Sequence, residues 1–512
     1  MAVFDVAETG KSRSLGFIPV GWYPTSVRVT PDGKRLLVAN GKGVSSAANR
    51  HAAQPGLRRI PGVDQYIAEL FTGTVSLIPL QSGAAFEKQL AEWTARAFQC
   101  TPAATRQLDP ATLEGNPIPR KVGDPSPIKY VVYIVKENRT YDQVLGDLEI
   151  GNGDPSLCLF GEKITPNHHA LAREFVCLDN FYVESEVSAD GHEWSMGAFA
   201  TDFVEKSWPL SYGHNQRKKY PYPSEGTLDH AARPAGGYLW DRAKEAGVSY
   251  RSYGEWVSNG KTPADPAKAK VKALEGHIDP MFRSFDMAYP DAKRADRFIA
   301  ELTRLEEEGE MPQLQIVRLP NDHTSGASPG MPTPIAHVAD NDLALGRVVE
   351  ALSKSKFWPQ LAIFVVEDDA QNGPDHIDAH RTVAYAISPY AKRGAVDSSL
   401  YSTSSMLRTM ELILGMKPMS QFDAAALPLF ASFQKEPDLR PYAVKPVEVD
   451  MGAKNLASAW GAKESRKMNF TKEDAADDLK LNEVIWRSVR GAKSPMPAPR
   501  RAAFVFTEKD KD

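Results

Sequence analysis

The chain has 512 residues, 42% hydrophobic and 25% charged, with a formal net charge of −4. That length exceeds one ordinary core, so two or more domains are expected, and the composition is that of a soluble globular protein rather than a disordered one. No basic excess supports general nucleic-acid binding, although a local positive site for a phosphate is still allowed. No run approaches 18 apolar residues, so no spanning helix is expected. The start lacks a basic and apolar leader, and Val3-Phe4-Asp5-Val6 reads as the middle of a strand, which points to a missing natural amino-terminal part. Of the three cysteines, Cys158 and Cys177 can close a loop in an oxidising compartment or stay as reduced core thiols, while Cys100 is left over.

In chain order, residues 14–40 alternate strand and turn: Leu15 to Gly21, Pro24 to Val29, the turn Pro31-Asp32-Gly33-Lys34, and Arg35 to Asn40. Phe71 to Ile78 reads as a further strand, and 1–80 resembles the end of a YVTN-type β-propeller; a small β appendage is the plain alternative. The pattern turns helical over 84–107, and Pro110, Pro117, Pro119, Pro125 and Pro127 extend a linker region, 81–127, into the main domain at 128–440. There, strands at 130–135, 174–183, 247–253, 313–318, 361–367 and 383–388 alternate with helices at 224–246, 292–308, 336–354 and 404–415. This predicts an α/β fold with a mostly parallel sheet flanked by helices. Residues 214–285 are more polar and read as an insertion, and 441–512 as an extension holding one helix, Thr471 to Val489.

Two strands end in clusters of acid. Tyr130 to Val135 runs into Lys136-Glu137-Asn138-Arg139-Thr140-Tyr141-Asp142, and Leu361 to Val366 into Glu367-Asp368-Asp369. Ligands collect beyond the carboxyl ends of strands in such sheets, and adjacent carboxylates there repel unless a cation or a proton lies between them. A helix cap with local ion pairs is the plain alternative for the first cluster. Arg318-Leu319-Pro320-Asn321-Asp322-His323 ends another strand, and Asp375-His376-Ile377-Asp378-Ala379-His380-Arg381 sets two imidazoles four residues apart. Imidazole with carboxylate suits zinc, manganese or iron better than calcium.

Taken together, these three motifs resemble the bacterial phosphoesterase family of phospholipases C and acid phosphatases, within the alkaline phosphatase superfamily, and more narrowly propeller-phosphoesterase fusion proteins. The resemblance implies hydrolysis of a phosphate ester, whether monoester, diester or phospholipid, with one or two divalent ions (zinc, manganese or calcium). It implies Glu137, Asn138, Asp368 and Asp369 as ligands of one ion, and Asp322, His323 and His380, with His376 beside them, as the source of a second. The usual Gly-Pro-Ser/Thr around the nucleophile is absent. In its region, Phe181 to Ser195, Ser188 is the best hydroxyl, with Asp190 capping a helix expected to start near Gly191. His192 is the alternative nucleophile, acid or ligand.

Arg139 is expected either to grip a phosphoryl oxygen or to pair with Asp142, and Thr140 to cap a helix. His168 and His169 are expected in the substrate pocket or in structural hydrogen bonds. Trp208, Tyr212, Tyr220, Tyr222 and Tyr238 offer a leaving-group pocket or core packing. The rival function is a degenerate metal-binding scaffold that recognises without turnover. A periplasmic or secreted location follows from the resemblance alone, and oligomeric state is unreadable.

Overall fold

The computed structural model describes residues 1–43, 72–100, 110–211, 222–370, 373–471 and 475–497. Tyr212, Tyr220 and the expected helical residues 101–107 lie outside them. The described residues fall into two compact units, one built from 1–43 and 72–100, the other from residue 110 onward.

In the first unit β1 (Ala2–Asp5) pairs antiparallel with β2 (Arg13–Phe17), and β3 (Trp22–Val29), β4 (Arg35–Gly43) and β5 (Thr74–Pro79) form an antiparallel sheet. The turn from β3 to β4 holds Gly33 at φ 69°, a conformation glycine adopts without a Cβ penalty. Helix Ala84–Gln99 packs on β2, where Phe17 N donates to Thr94 Oγ1 at 2.9 Å, so this stretch is part of the small unit's core with Ile18, Val38, Ile78 and Leu90.

The second unit contains β6 (Tyr130–Lys136), β7 (Val176–Leu178), β8 (Phe181–Tyr182), β9 (Tyr250–Tyr253), β10 (Val257–Ser258), β11 (Lys268–Ala269), β12 (Leu314–Leu319), β13 (Leu361–Glu367), β14 (Ala384–Ile387), β15 (Ala395–Asp397) and β16 (Tyr401–Ser402). Its central sheet has the order β14-β13-β6-β12-β9, parallel except for β14 against β13. Both faces are covered, so β6, β12 and β13 are apolar nearly throughout rather than alternating. Helices Pro166–Glu174, Asp291–Glu308 and Pro334–Lys354 close one face on Val132, Ile134, Val317, Leu319, Ile363 and Val365. Helix Thr403–Leu414 packs against β6 and against helix Ser188–Gly197.

The predicted strand 174–183 breaks at Asp179 and Asn180 into β7 and β8, which pair with β15 and β16 and leave the central sheet. The predicted helix 224–246 is two short helices, Asp229–Ala232 and Leu239–Ala246, because Pro234 lies between them. The region read as an insertion supplies β9, the edge strand of the main sheet. The last helix runs from Asp478 to Arg490, started by the Asp477 carboxylate accepting from Lys480 N at 3.2 Å. Cys158 and Cys177 are buried free thiols. Among the described residues no helix is long and apolar enough to cross a membrane.

Candidate active site

Register sets the level of the site. Lys136 is opposite Glu367 on one side and Leu319 on the other, so three parallel strands end together and their next residues emerge at one height. Glu137 and Asn138 leave β6 there, Asp368 and Asp369 leave β13, and Asn321 to His323 form a short turn after β12. Asn138 is held at φ 72°, a sparsely populated backbone for a side-chain residue, and such positions cluster at ligand sites. Thr140 starts helix Tyr141–Leu145 by a reciprocal cap with Gln143, at 3.3 and 3.1 Å, as its position suggests.

The loop that leads into helix Ser188–Gly197 is fixed by Asp190. Its carboxylate accepts from the backbone N–H of Glu186 and of Val187, both at 2.9 Å, and so starts the helix at Ser188, three residues before the expected Gly191. Ser188 is therefore in the first turn, fully buried, with Oγ donating to Asp369 Oδ2 at 2.7 Å and 3.4 Å from Asn138 Oδ1. Ser185 Oγ donates to the Asp368 carbonyl at 2.6 Å. A Cβ added at Gly191 would stand 2.6 Å from that same carbonyl oxygen, so the helix can lie this close only with glycine there.

One turn on, His192 faces a buried ring of charge. Its Nε2 is 3.4 Å from Asp368 Oδ2, 3.6 Å from Glu137 Oε1 and 3.6 Å from Glu225 Oε1, and its Nδ1 is 3.2 Å from Glu255 Oε2. Arg318, on β12, places Nη2 2.8 Å from His192 Nε2 and 2.5 Å from Glu137 Oε1. Burial works against a second proton on His192, the charge of Glu255 and its neighbours outweighs it, and Arg318 opposes them. The 2.8 Å contact is a hydrogen bond only with Nε2 unprotonated, and Nδ1 lies at ion-pair distance from Glu255. Burial alone would push the Glu137 carboxyl up; the Arg318 charge overrides it and holds the group below the ordinary value.

The residues fit a divalent cation. Glu137, His192 and Asp368 present ligand atoms that all lie within 4.8 Å of one another. Glu137 Oε2 is buried and has no hydrogen-bond partner among the described residues. The buried carboxylates Glu137, Glu225, Glu255, Asp368 and Asp369 outnumber the neighbouring fixed cations, Arg318 and Lys270. Asn138 and Ser188 add neutral oxygen donors beside them.

The other predicted positions are engaged elsewhere. Asp322 forms an ion pair with Lys136 Nζ at 2.7 Å and accepts from Glu137 N at 3.1 Å; Lys136 also donates to Glu367 at 2.7 Å. His323 Nδ1 bonds the Thr324 carbonyl at 2.9 Å. Arg139 does not pair with Asp142: its guanidinium donates to the backbone carbonyls of Asn138, Asp322 and His323, while Asp142 takes Arg381 at 2.9 Å. His376 joins Asp142 at 2.6 Å in a second group with Asp375, where Arg381 meets both carboxylates. His380 lies between Asp378, at 2.6 Å, and Glu186, at 3.1 Å. His168 bonds Asp342 at 2.6 Å and His169 bonds Asp147 at 2.8 Å, which ties their helix into the core. Trp208 and Tyr238 are buried, and Tyr238 Oη donates to Glu193 at 2.9 Å.

Three residues of the site escaped the sequence reading. A charged Arg318 inside an apolar strand was a usable signal; Glu225 and Glu255, in the polar stretch before β12, carried none.

The Phosphoesterase family matches residues 150–417, just over half of the chain. The chain belongs to that family. The match begins after Glu137 and Asn138 and takes in Ser188, His192, Arg318, Asp368 and Asp369. No curated protein matches the chain in sequence. Solved structures similar to this member of the family include a protein in the alkaline phosphatase superfamily from Vibrio parahaemolyticus, at 17% identity and TM-score 0.41, covering 78% of this chain and 95% of that one. A putative sulfatase from Bacteroides thetaiotaomicron aligns at 14% identity and TM-score 0.38, over 61% of this chain and 76% of its own. A phosphonate monoester hydrolase of Agrobacterium radiobacter aligns at 13% identity and TM-score 0.36, over 57% and 74%.

Proposed function

We propose that this phosphoesterase-family chain is a metal-dependent hydrolase of phosphate esters, with Ser188 as nucleophile. Glu137, Asn138, Asp368 and Asp369 would hold the ion. A bound divalent cation supplies charge neutralisation at the phosphoryl oxygens and a lower pKa for a neighbouring hydroxyl. Asp369, 2.7 Å from Ser188 Oγ, orients that hydroxyl and is placed to receive its proton as the oxygen attacks phosphorus. As the Ser188 Oγ–P bond forms the ester P–O bond breaks and the alcohol leaves with a proton from solvent; water then cleaves the seryl phosphate, releasing phosphate, or a phosphomonoester from a diester, and restoring the hydroxyl. Arg318 and Glu255 hold His192 beside Asp368. The observation that carries this reading is the buried Ser188 hydroxyl in the first turn of a helix, in contact with two of the proposed ligand residues.

Phosphomonoesters, phosphodiesters and phospholipids all suit such a centre, and a periplasmic or secreted location belongs to the same proposal by resemblance. Turnover of p-nitrophenyl phosphate, its bis ester and p-nitrophenyl sulfate, measured after chelation and after readdition of zinc, manganese or calcium, tests it. Phosphate-ester turnover lost on chelation and restored by metal is expected. A metal-loaded preparation inert toward the whole panel would instead favour a binding scaffold.

A further inference from the structure

Resting on the phosphate-ester reading above, we propose that Glu225 is a built-in substrate mimic: its carboxylate closes the site by lying between Lys270 and Arg318, where the phosphoryl group of an entering ester takes its place, and the strap 224–228 moves out with it. The closed site calls for a moving part. Glu137, Asn138, Ser188, His192 and Asp369 are 0% exposed and Asp368 is 1% exposed, so no ester reaches the proposed nucleophile and ligands until a cover is displaced. Glu225 Oε2 accepts from Lys270 Nζ at 2.7 Å, and its Oε1 accepts from Arg318 Nη1 at 3.1 Å and lies 3.6 Å from His192 Nε2. The Lys270 side chain is 23% exposed, whereas Arg318 is fully buried. From solvent inward the order is therefore Lys270, Glu225, Arg318, and then Glu137 and His192.

A carboxylate that gives one oxygen to each of two cations does what two oxygens of a phosphoryl group do. An entering phosphate ester replaces it donor for donor, so that neither cation is left buried and unpaired. The strap is also built to be released. Glu225 and Leu228 hold φ of 49° and 60°, left-handed backbone that a residue with a Cβ adopts only at a cost in free energy. Polar ties hold it there: Ser224 Oγ donates to Glu193 Oε1 at 3.1 Å, Thr227 N donates to the Ser224 carbonyl at 3.0 Å, and Glu225 takes its two cations. Ser224-Glu225-Gly226-Thr227 carries no large apolar side chain, so little hydrophobic burial resists its movement. A ligand opens such a cover only through its greater affinity for the open form, and the two cations that Glu225 gives up supply that difference.

Hydrogen exchange and phosphate binding test this without reading turnover. Full-length native chain, Glu225→Gln and Lys270→Met are loaded with manganese, freed of excess metal and titrated with inorganic phosphate by calorimetry, and exchange is followed in the peptides covering 224–228 with and without phosphate. In the native chain phosphate is expected to speed exchange there, because it takes the two cations from Glu225. Glu225→Gln, with no carboxylate to displace, is expected to exchange without phosphate as fast as the native chain does with it, and to bind phosphate about tenfold more tightly. Lys270→Met is expected to free the strap but to bind phosphate more weakly, since the cation is lost to both anions. Phosphate that binds the native chain and leaves the strap protected overturns this inference and leaves the hydrolase reading standing, as does a Glu225→Gln that binds phosphate no better or a Lys270→Met that binds it equally well. No phosphate binding by the native chain or by either variant removes the hydrolase reading and this inference with it. Should Glu225→Gln fail to fold, exchange in the native chain and the affinity of Lys270→Met decide.

Discussion

Replacing Lys136 with methionine keeps the length of the side chain and removes one charge from the floor of the site. Lys136 Nζ is 2.7 Å from Asp322 Oδ2 and 2.7 Å from Glu367 Oε1, and all three side chains are at most 2% exposed. Methionine leaves two buried carboxylates facing each other, and removing one partner of a buried ion pair costs about 3–5 kcal/mol. Part of that is recovered by proton uptake. Burial and the Asp322 charge already hold the Glu367 carboxyl well above its ordinary value, and without the lysine it rises further. A raised carboxyl binds its proton more tightly in the folded state, so the variant's stability falls as pH climbs above the unfolded value, by about 1.4 kcal/mol per unit until the folded value is passed.

Urea unfolding followed by tryptophan fluorescence reads mainly the larger unit, which carries all the tryptophans except Trp22 and Trp93. The expected loss is about 4 kcal/mol at pH 8, and it is largely relieved in the double variant with Glu367→Gln. Because Asp322 also accepts from Glu137 N at 3.1 Å, metal affinity should fall in parallel. A loss under about 1 kcal/mol at pH 8, or one that the second substitution leaves unchanged, would refute the reasoning.

Ser188→Ala should keep its metal and lose turnover by on the order of 10³-fold or more; unchanged kcat would move the nucleophile to His192 or to water. Asp368→Asn should lose bound metal and activity together, checked by elemental analysis after gel filtration, and full occupancy would remove Asp368 from the ligand set. Gly191→Ala drives a methyl to 2.6 Å from the Asp368 carbonyl, which should cost about 1–3 kcal/mol in urea and lower kcat; wild-type values would show the helix free to shift. Burial works against the His380 imidazolium, but Glu186 and Asp378 raise it to about 9, so its contribution is fully present below about pH 6.5 and is lost as pH rises through about 9. His380→Gln should therefore destabilise by on the order of 1–3 kcal/mol near pH 6 and by little near pH 9.5, and equal losses at both would contradict this assignment.

The strands at 130–135, 313–318 and 361–367 were legible because burial on both faces leaves a continuous apolar run, and that run stops where the chemistry begins. Glu137, Asn138, Asp368 and Asp369 were legible for the same reason, as polar groups placed directly after such runs. Residues 174–183 misled because an apolar stretch does not say which strand it will pair with. The histidines were less legible. His168, His323 and His376 each give one ring nitrogen, and His380 both, to a carboxylate or backbone carbonyl, and a ligand and a core histidine look alike in sequence.

By itself the sequence determined the parallel α/β layering and the acid-bearing strand ends, because both follow from local burial and chain order. Only the tertiary structure decided that Ser188 meets Asp369, that Arg318 gathers Glu137, Glu225, Glu255 and His192, and that Lys136 neutralises Asp322. Those pairings join residues tens to hundreds of positions apart, through the shared level at which β6, β12 and β13 end, and a buried charge takes whichever partner the fold brings within about 3 Å.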